Sequence, residues 1–186
     1  MHVSAIDARH RAPGRYTGVA RLLHWLTVAL VLPAIILGIW IGFFEPKNEA
    51  LKFRLYNIHE STGITILLVT LLRLGWRAGH PPPPLPADLP APLRFAARAN
   101  HAGLYLLLLT MPVVGFLATN AWGFPVTWWG LIPLPDPIGR HETLAPVFSA
   151  IHFWLALTLL AMVALHVAAA LWHQFIRRDG TLERML

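Results

Sequence analysis

Four stretches of this chain are rich in apolar residues and long enough to cross a lipid bilayer. They cover residues 18–44, 58–77, 99–120 and 147–175, and the segment 22–44 carries no Asp, Glu, Lys or Arg. A helix of about 20 residues spans the ~30 Å hydrocarbon core of a membrane. Because the links between the stretches are short, we expect residues 1–186 to form one domain, an all-α transmembrane four-helix bundle with up-down topology.

The basic residues lie mostly on one side of the four predicted spans. Eleven flank the side that holds the two termini and four flank the other side, and an excess of Lys and Arg is typical of cytoplasmic segments. Both termini should therefore be cytoplasmic, with the opposite side facing the periplasm of a bacterial inner (plasma) membrane. The eleven are Arg9, Arg11, Arg15, Arg21, Arg73, Arg77, Arg94, Arg98, Arg177, Arg178 and Arg184, and the four are Lys47, Lys52, Arg54 and Arg140.

Composition narrows the class of protein further. Hydrophobic residues make up 56% of the chain and charged residues 13%, which excludes an intrinsically disordered protein. The absence of cysteine excludes a disulfide scaffold, thiolate-bound iron–sulfur clusters, cysteine zinc sites and covalently attached haem. The net charge of +6 is explained by membrane topology and contacts with the lipid bilayer, so we expect no nucleic-acid partner.

Two of the links have distinctive sequences. Residues 81–92 are rich in proline, which predicts a stiff, extended spacer. Residues 122–146 form the longest irregular link and contain Trp128 and Trp129, and tryptophan is typical of the membrane interface. We expect this link to cover the periplasmic end of the bundle, where a short interfacial helix could also form.

Six of the ten histidines fall within the predicted spans or at their ends. Polar side chains at such depth are costly and tend to be functional. A single one could act as an interhelical hydrogen-bond donor, but six in so small a bundle indicate a binding site. A histidine-lined ion or metal transporter is the alternative from another functional class. The six are His24, His59, His101, His152, His166 and His173.

The spacing of these histidines favours two sites at two depths. His152 and His166 are fourteen residues apart, so they share one face of a helix and lie about 21 Å apart along its axis. If Thr17 caps the first helix, His24 lies about two turns in, at the cytoplasmic side, whereas His59 begins the second span at the periplasmic side. The geometrically consistent pairs are therefore His59 with His152, and His24 with His166.

Paired imidazoles in an apolar interior suit haem. A haem brings four equatorial nitrogens and needs only two axial ligands from the protein, whereas zinc usually takes four protein ligands. We therefore expect two non-covalent haems b with bis-histidine iron, and His101, at the cytoplasmic start of the third span, is the rival ligand of the inner one.

Small residues near these histidines would make room for the flat rings, and arginines would meet the propionates of the inner haem. The small residues are Gly38, Gly42, Gly63, Gly103 and Ala170, and the arginines are Arg21, Arg73, Arg77 and Arg98. Gly38 and Gly42 could equally form a GxxxG pair for helix packing. The arginines also serve as topology anchors.

Several short motifs resemble the bacterial cytochrome b561 family of four-helix, di-haem membrane proteins. They are RLLHW at 21–25, HESTG at 59–63, NHAGLY at 100–105 and IHFWLALTLLAMVALH at 151–166. The resemblance covers about residues 15–180. It implies iron ligation by His24, His59, His152 and His166, the same four histidines that the spacing pairs.

The best-understood family members of this size resemble superoxide oxidases. The resemblance thus implies a superoxide:ubiquinone oxidoreductase that oxidises superoxide at the periplasmic face and passes the electrons through both haems to ubiquinone. Related cytochrome b subunits relay electrons between quinone and a partner hydrogenase or dehydrogenase, so a relay or anchor subunit is the alternative. Quinone reduction needs protons, and His173 is the best-placed candidate catalytic residue, with His101 next. His173 could instead only cap the last helical turn.

Overall fold

The computed structural model describes residues 14–44, 46–86 and 88–186, so Arg9 and Arg11 lie outside the described residues. Its four long helices are α1 (Gly18–Phe43), α2 (Glu49–Gly79), α3 (Ala91–Ala121) and α4 (Leu144–Trp172). Each is long and apolar enough to cross a membrane, which confirms the predicted all-α bundle. Helix α4 continues into a π-helical turn over His173–Arg177.

Two of the helices begin well before the apolar stretches that predicted them. Asn48 caps α2, and its side chain accepts a hydrogen bond from the backbone N–H of Leu51 at 3.0 Å. Helix α3 begins directly after Pro90. The added turns contain Ala, Glu, Leu, Lys and Arg, which favour helix without being apolar enough to mark a membrane span. Helix α1 begins where expected, because the Thr17 hydroxyl accepts from the N–H of Ala20.

The helices alternate in direction around the bundle. Helix α1 packs against α2, α2 against α3, and α3 against α4. The start of α1 lies beside the end of α2, where His24 meets Arg73, and the start of α2 lies beside that of α4, where His59 meets His152. This is the up-down order that the short links predicted. Among the described residues, α1 and α4 share no interface of comparable extent.

An apolar layer fills the middle of the bundle. All four helices contribute buried side chains to it, among them Val31, Ile66, Leu107 and Leu159. Many large apolar side chains instead cover the outside of the helices, as expected where a protein meets lipid tails rather than water. Histidines lie on both sides of the apolar layer, one group at each end of the bundle.

Within residues 122–146, the segment 127–133 forms a short hairpin instead of the interfacial helix that we considered, and α4 begins at Leu144. Strand β1 (Thr127–Trp128) pairs with antiparallel strand β2 (Ile132–Pro133). The hairpin packs on α2, where the Asn57 amide donates to the carbonyl of Thr127 at 2.7 Å and the Ser61 hydroxyl accepts from the N–H of Trp129 at 2.7 Å. We call this end of the bundle the hairpin end.

The hairpin lies on the face of α2 that points away from His59. Asn57 and Ser61 each lie two residues from His59, so their side chains point about 160° away from it around the helix. The ends of α3 and α4 beside the link are also enclosed, since Ala121 and Ala145 are buried. That the link as a whole covers the periplasmic end stays a prediction.

The opposite end is crossed by residues 178–186, which we call the C-terminal tail. The backbone N–H of Tyr16 donates to the carbonyl of Arg184 at 3.2 Å, and the Trp25 indole donates to that of Met185 at 2.8 Å. The Arg184 guanidinium donates to the carbonyl of Pro84 at 2.6 Å. The tail thus joins α1 to the proline-rich spacer, which has no regular structure over residues 81–86. We call this end the tail end.

Candidate functional site

The structure brings together both histidine pairs that the spacing predicted. At the hairpin end, the ring centroids of His59 and His152 are 6.2 Å apart, with the ring planes at 79°. At the tail end, the rings of His24 and His166 are 6.3 Å apart, with their planes at 63°. All four side chains are half-buried. The two pairs therefore have nearly the same geometry at two depths of the bundle.

Two glycines allow the rings of the hairpin-end pair to lie against neighbouring helices. A Cβ atom at Gly38 of α1 would lie 3.0 Å from Cε1 of His59, and one at Gly115 of α3 would lie 2.9 Å from Cε1 of His152. Both distances are shorter than normal carbon–carbon contacts. A Cβ atom at Gly42 would meet nothing within 4 Å among the described residues, so within this chain Gly38 makes room for His59 and Gly42 packs against no other helix.

The nitrogen atoms of the hairpin-end pair have unlike partners. Nδ1 of His152 lies 3.2 Å from the carbonyl oxygen of Met111, which can only accept, so this nitrogen carries the hydrogen and Nε2 keeps a free lone pair. Nδ1 of His59 is buried and has no hydrogen-bond partner among the described residues. His59 has a backbone hydrogen-bond partner in Ala34, but because buried polar atoms are normally paired, its unpaired Nδ1 is open to a group outside the polypeptide.

A small apolar cavity lies beside this pair. His59 and His152 line it, together with residues from all four helices, including Gly63 of α2 and Pro112 of α3. A Cβ atom at Gly63 would meet only the Cβ of Pro112, at 3.9 Å. The cavity thus connects the hairpin-end histidines with the apolar layer in the middle of the bundle.

Three histidines and an arginine meet at the tail end. The ring centroid of His166 is 5.3 Å from that of His101 as well as 6.3 Å from that of His24. His101 is more exposed than His24 and His166, which are half-buried. The Arg73 guanidinium donates to Nδ1 of His24 at 3.2 Å and lies over the ring of Tyr105, 5.3 Å from its centroid.

The other arginines expected at this end have different surroundings. Arg21 donates a hydrogen bond to the backbone carbonyl of Leu186, and its Nε atom is buried without a partner among the described residues. Arg77 lies over the ring of Tyr105 at 5.8 Å, and Arg98 is exposed. Arg73 is therefore the arginine that contacts a histidine at this end, whereas Arg21 contacts the C-terminal tail.

His173 lies beyond this group, where α4 ends. Its Nδ1 atom is 2.6 Å from Oδ2 of Asp179, and the side chains of the two residues are 14% and 13% exposed. Arg177 donates to the same oxygen from Nε at 3.0 Å. The structure thus places His173 at the tail end, seven residues after His166, in a polar cluster with the C-terminal tail.

The donor sets decide which kind of cofactor these sites suit. Over residues 14–44, 46–86 and 88–186, no three His, Cys, Asp or Glu side chains are arranged to hold a bare metal ion. A pair of imidazoles suits a metal that brings its remaining ligands with it, as the iron of haem does. The histidine pairs therefore fit haem and do not form an all-protein zinc site.

Sequence reasoning missed several residues of these sites. Gly115 was one glycine among thirteen, and only its position inside an apolar helix, where glycine costs about 1 kcal/mol relative to alanine, was a signal. Asp179 carried no signal, because it meets His173 only through the shape of the helix end. The hydrogen bond from the Thr119 hydroxyl to Glu60 at 2.8 Å joins two helices and is equally invisible in one sequence.

Comparison with known proteins finds similarity to bacterial b-type cytochromes over nearly the whole chain. The family model described as prokaryotic cytochrome b561 matches residues 15–186. Cytochrome b561 homolog 2 of Escherichia coli is 35% identical over 94% of this chain and 92% of its own. The probable superoxide oxidase CybB of Yersinia pestis is 31% identical over 88% and 91%. Cytochrome b562 of Cereibacter sphaeroides is 29% identical over 94% and 96%.

The family, the four membrane-spanning helices and the paired histidines agree with one another. The family implies binding of haem b and electron transfer in a bacterial membrane, and the helices α1 to α4 supply the multi-pass membrane domain. This chain belongs to the prokaryotic cytochrome b561 family.

Proposed function

We propose that this protein carries electrons across the bacterial inner membrane through two haems b, from superoxide at the periplasmic face to ubiquinone at the cytoplasmic side. The observation that carries the proposal is the presence of two histidine pairs, His59–His152 and His24–His166, at opposite ends of the bundle. One pair lies near each membrane face, so the two sites form a path with an end at each side.

The separation within each pair supports iron ligation. With bonds of about 2 Å from imidazole nitrogen to a transition metal, two rings on opposite sides of one metal have centroids about 6 Å apart. The separations of 6.2 Å and 6.3 Å match this value, whereas the 5.3 Å between His101 and His166 is shorter. We therefore propose His24, and not His101, as the partner of His166. Because Arg73 can only donate to Nδ1 of His24, ligation through Nε2 would require Nδ1 to take the hydrogen and release Arg73.

The surroundings of the hairpin-end pair support the same assignment. The Met111 carbonyl holds His152 in the tautomer that leaves Nε2 free, as outer-shell partners of metal-binding histidines do. Nδ1 of His59 is unpaired among the described residues, so it is free to donate a hydrogen to a bound group or to share its lone pair with one. A porphyrin is larger than the cavity beside the pair, so its binding would displace flexible side chains such as that of Met111.

At the tail end, arginines provide positive charge for the propionates of a haem. Haem propionates are anions, and Arg73 donates to His24 of this pair, while Arg21, one helical turn before His24, has a buried Nε atom without a partner among the described residues. When bound, the haems supply carriers for single electrons. The protein's part is to fix their depth and to exclude water from them with apolar side chains.

The relatives suggest which molecules exchange the electrons. One relative is a probable superoxide oxidase, and the excess of basic residues around the tail end favours a cytoplasmic position for that end. Superoxide would then react at the hairpin end. Two superoxide ions lose one electron each and become oxygen, and one ubiquinone gains two electrons and two protons and becomes ubiquinol.

His173 is our candidate proton donor for the ubiquinone. It lies seven residues beyond His166, about 10 Å along the helix, at the end where the electrons leave. Its side chain is 14% exposed, so it is close to water and still partly enclosed. Histidine can give up and regain a proton near neutral pH.

The test supplies the purified holoprotein with superoxide and a soluble short-chain ubiquinone. We expect superoxide to reduce the haems rapidly in the wild type and in His173→Ala, whereas ubiquinone reduction slows about 100-fold or more in His173→Ala, the usual range for loss of a general acid. His80→Ala removes another tail-end histidine, one that stacks on Trp76, and it should behave as the wild type does.

Two results would overturn parts of this proposal. If superoxide does not reduce the haems of the wild type, the chain is not a superoxide oxidase, and the relay subunit of a hydrogenase or dehydrogenase becomes the better explanation. If His173→Ala reduces ubiquinone at the wild-type rate, the enzyme assignment stands and His173 is not its proton donor.

A further inference from the structure

The end of α4 brings a carboxylate back onto His173. The π-helical turn is followed by Arg178 in the left-handed conformation, with φ of 52°. This reversal places Asp179, six residues after His173, with Oδ2 at 2.6 Å from Nδ1 of the imidazole. Only 13% of the Asp179 side chain is exposed. The contact is therefore enclosed and depends on the shape of the helix end.

Hydrogen-bond donors surround the Asp179 carboxylate. Oδ2 also accepts from Nε of Arg177 at 3.0 Å, and Oδ1 accepts from the backbone N–H and the hydroxyl of Thr181 at 3.1 Å and 2.6 Å. Burial by itself would raise the pKa of Asp179, but the hydrogen bonds from Thr181 and His173 outweigh it and lower this pKa below its ordinary value. Asp179 is thus an anion at neutral pH.

An ionised carboxylate fixes the tautomer of the histidine beside it. Because the carboxylate can only accept, Nδ1 of His173 carries the hydrogen in this contact. Nε2, on the other side of the ring, is then the nitrogen that can exchange a proton with another molecule. In Asp179→Asn, the amide NH₂ group would have to face either His173 and Arg177 or Thr181. All three residues donate hydrogen bonds to position 179, so the residues facing the NH₂ group would lose their acceptor.

We propose that Asp179 is the positioning residue of the quinone site: it holds His173 as the Nδ1–H tautomer, so that protons pass to the bound ubiquinone from Nε2. This inference rests on the proposed function. Each proton that His173 gives to the reduced quinone leaves from Nε2 and is replaced from water, while Nδ1–H stays bonded to Asp179. The electrons come from superoxide, as in the overall reaction above.

The charged groups around His173 also supply a matched control. Arg177 joins Asp179 to Asp88 of the proline-rich spacer, whose side chain is 75% exposed. Asp88→Asn removes a carboxylate from Arg177 without touching His173, whereas Asp179→Asn removes the one that both share. Comparing the two variants separates the effect on His173 from the effect of a weakened Arg177.

The experiment reduces the haems of the purified holoprotein with dithionite and follows their oxidation by short-chain ubiquinone. In Asp179→Asn we expect kcat to fall about 10- to 100-fold, the usual cost of losing a partner that orients an imidazole, with little change in KM because Asp179 does not touch the quinone. Asp179→Glu should recover much of the rate, and Asp88→Asn should keep it. Equal haem content in all variants shows that each one is folded.

A second measurement reads the tautomer without any quinone. In protein labelled with ¹⁵N-histidine, the His173 signals, identified by their loss in His173→Ala, should show hydrogen on Nδ1 in the wild type and a mixture or the Nε2–H form in Asp179→Asn. An unchanged tautomer in Asp179→Asn would overturn the inference, and so would an unchanged kcat. Wild-type haems that ubiquinone fails to oxidise would instead overturn the quinone site, while the tautomer result would still decide the role of Asp179.

Discussion

Exposure and ring spacing distinguish two histidines that the sequence could not. His24 of α1 and His101 of α3 both lie toward the tail end, and the rings of both meet that of His166. His24 is half-buried, with Arg73 on its Nδ1 atom, whereas His101 is more exposed. The lower exposure of His24 and its wider spacing from His166 are the grounds for preferring it as the ligand.

This difference predicts the haem content of two variants. We expect two haems per wild-type chain, about one in His24→Ala, because the inner iron loses a ligand in an apolar environment, and two in His101→Ala. Pyridine haemochromogen absorbance, divided by protein from amino-acid analysis, measures the ratio. His80→Ala serves as the control for losing a tail-end histidine.

The opposite pattern would contradict the assignment. A His101→Ala variant with one haem, beside a His24→Ala variant with two, would make His101 the inner ligand. A wild-type ratio of one haem per chain would rule out two sites altogether.

The fourteen-residue interval between His152 and His166 was enough to predict two sites, because helical periodicity is fixed by the backbone. The partners of those histidines were predictable only as far as topology allowed. The choice between His24 and His101 depends on side-chain direction. The close approach of His59 to Gly38 and of His152 to Gly115 depends on which helices touch. Neither property is encoded in the spacing along one chain.

At the scale of elements, the hairpin shows how a polar stripe on a membrane helix can be used. Asn57, Ser61 and Thr65 recur at four-residue intervals on α2, and all three bond to the hairpin. Ser61 is fully buried beneath it. The stripe therefore satisfies the hairpin backbone and the tryptophan indoles at a membrane surface, where unpaired polar groups are costly.

Ser61→Ala tests this attachment. The variant leaves the N–H of Trp129 without its acceptor, which costs about 1–3 kcal/mol for a buried donor. We expect amide exchange of residues 127–134 to accelerate about 5- to 150-fold, the equivalent of that free energy, as measured by hydrogen–deuterium exchange and mass spectrometry.

Ser149→Ala is the matched control for the hairpin experiment. Ser149 accepts from the indole of Trp122 at the same end of the bundle but does not bond to the hairpin. Exchange in residues 127–134 should be as slow in this variant as in the wild type. Equal exchange in Ser61→Ala and the wild type would show that Ser61 does not hold the hairpin.

Element types were predictable, but element contacts were not. The apolar runs predicted four helices because only a helix satisfies its backbone within one segment in lipid. The hairpin escaped prediction because its strands are only two residues long, too short for an alternating pattern. It turns through Trp129 and Gly130, which both have positive φ, and tryptophan at such a position is not a turn signal.

For the whole molecule, function depends on which end faces the cytoplasm. Lys and Arg are more numerous at the tail end, where Arg21, Arg77 and Arg184 lie. This excess favours a cytoplasmic position for that end. With this orientation, the proposed function has superoxide react at the hairpin end and ubiquinol form on the side where protons come from the cytoplasm.

Reporter fusions measure this orientation. Green fluorescent protein fused after Leu186 should fluoresce, and alkaline phosphatase at the same position should be inactive, because we expect the tail end to lie in the cytoplasm. Alkaline phosphatase inserted after Gly139, in the exposed link at the hairpin end, should be active. An active phosphatase after Leu186 would reverse the proposed direction of electron flow.

The weak α1–α4 side of the bundle has a consequence for biogenesis. Among the described residues, α1 and α4 share fewer contacts than the other neighbouring helices, and the rings of His24 and His166 meet across this side. A flat group that enters the bundle from the side would separate the fewest helix contacts here. Because a ligand that binds only the folded chain stabilises it by mass action, we expect the fraction of stably folded chains to rise with the supply of haem.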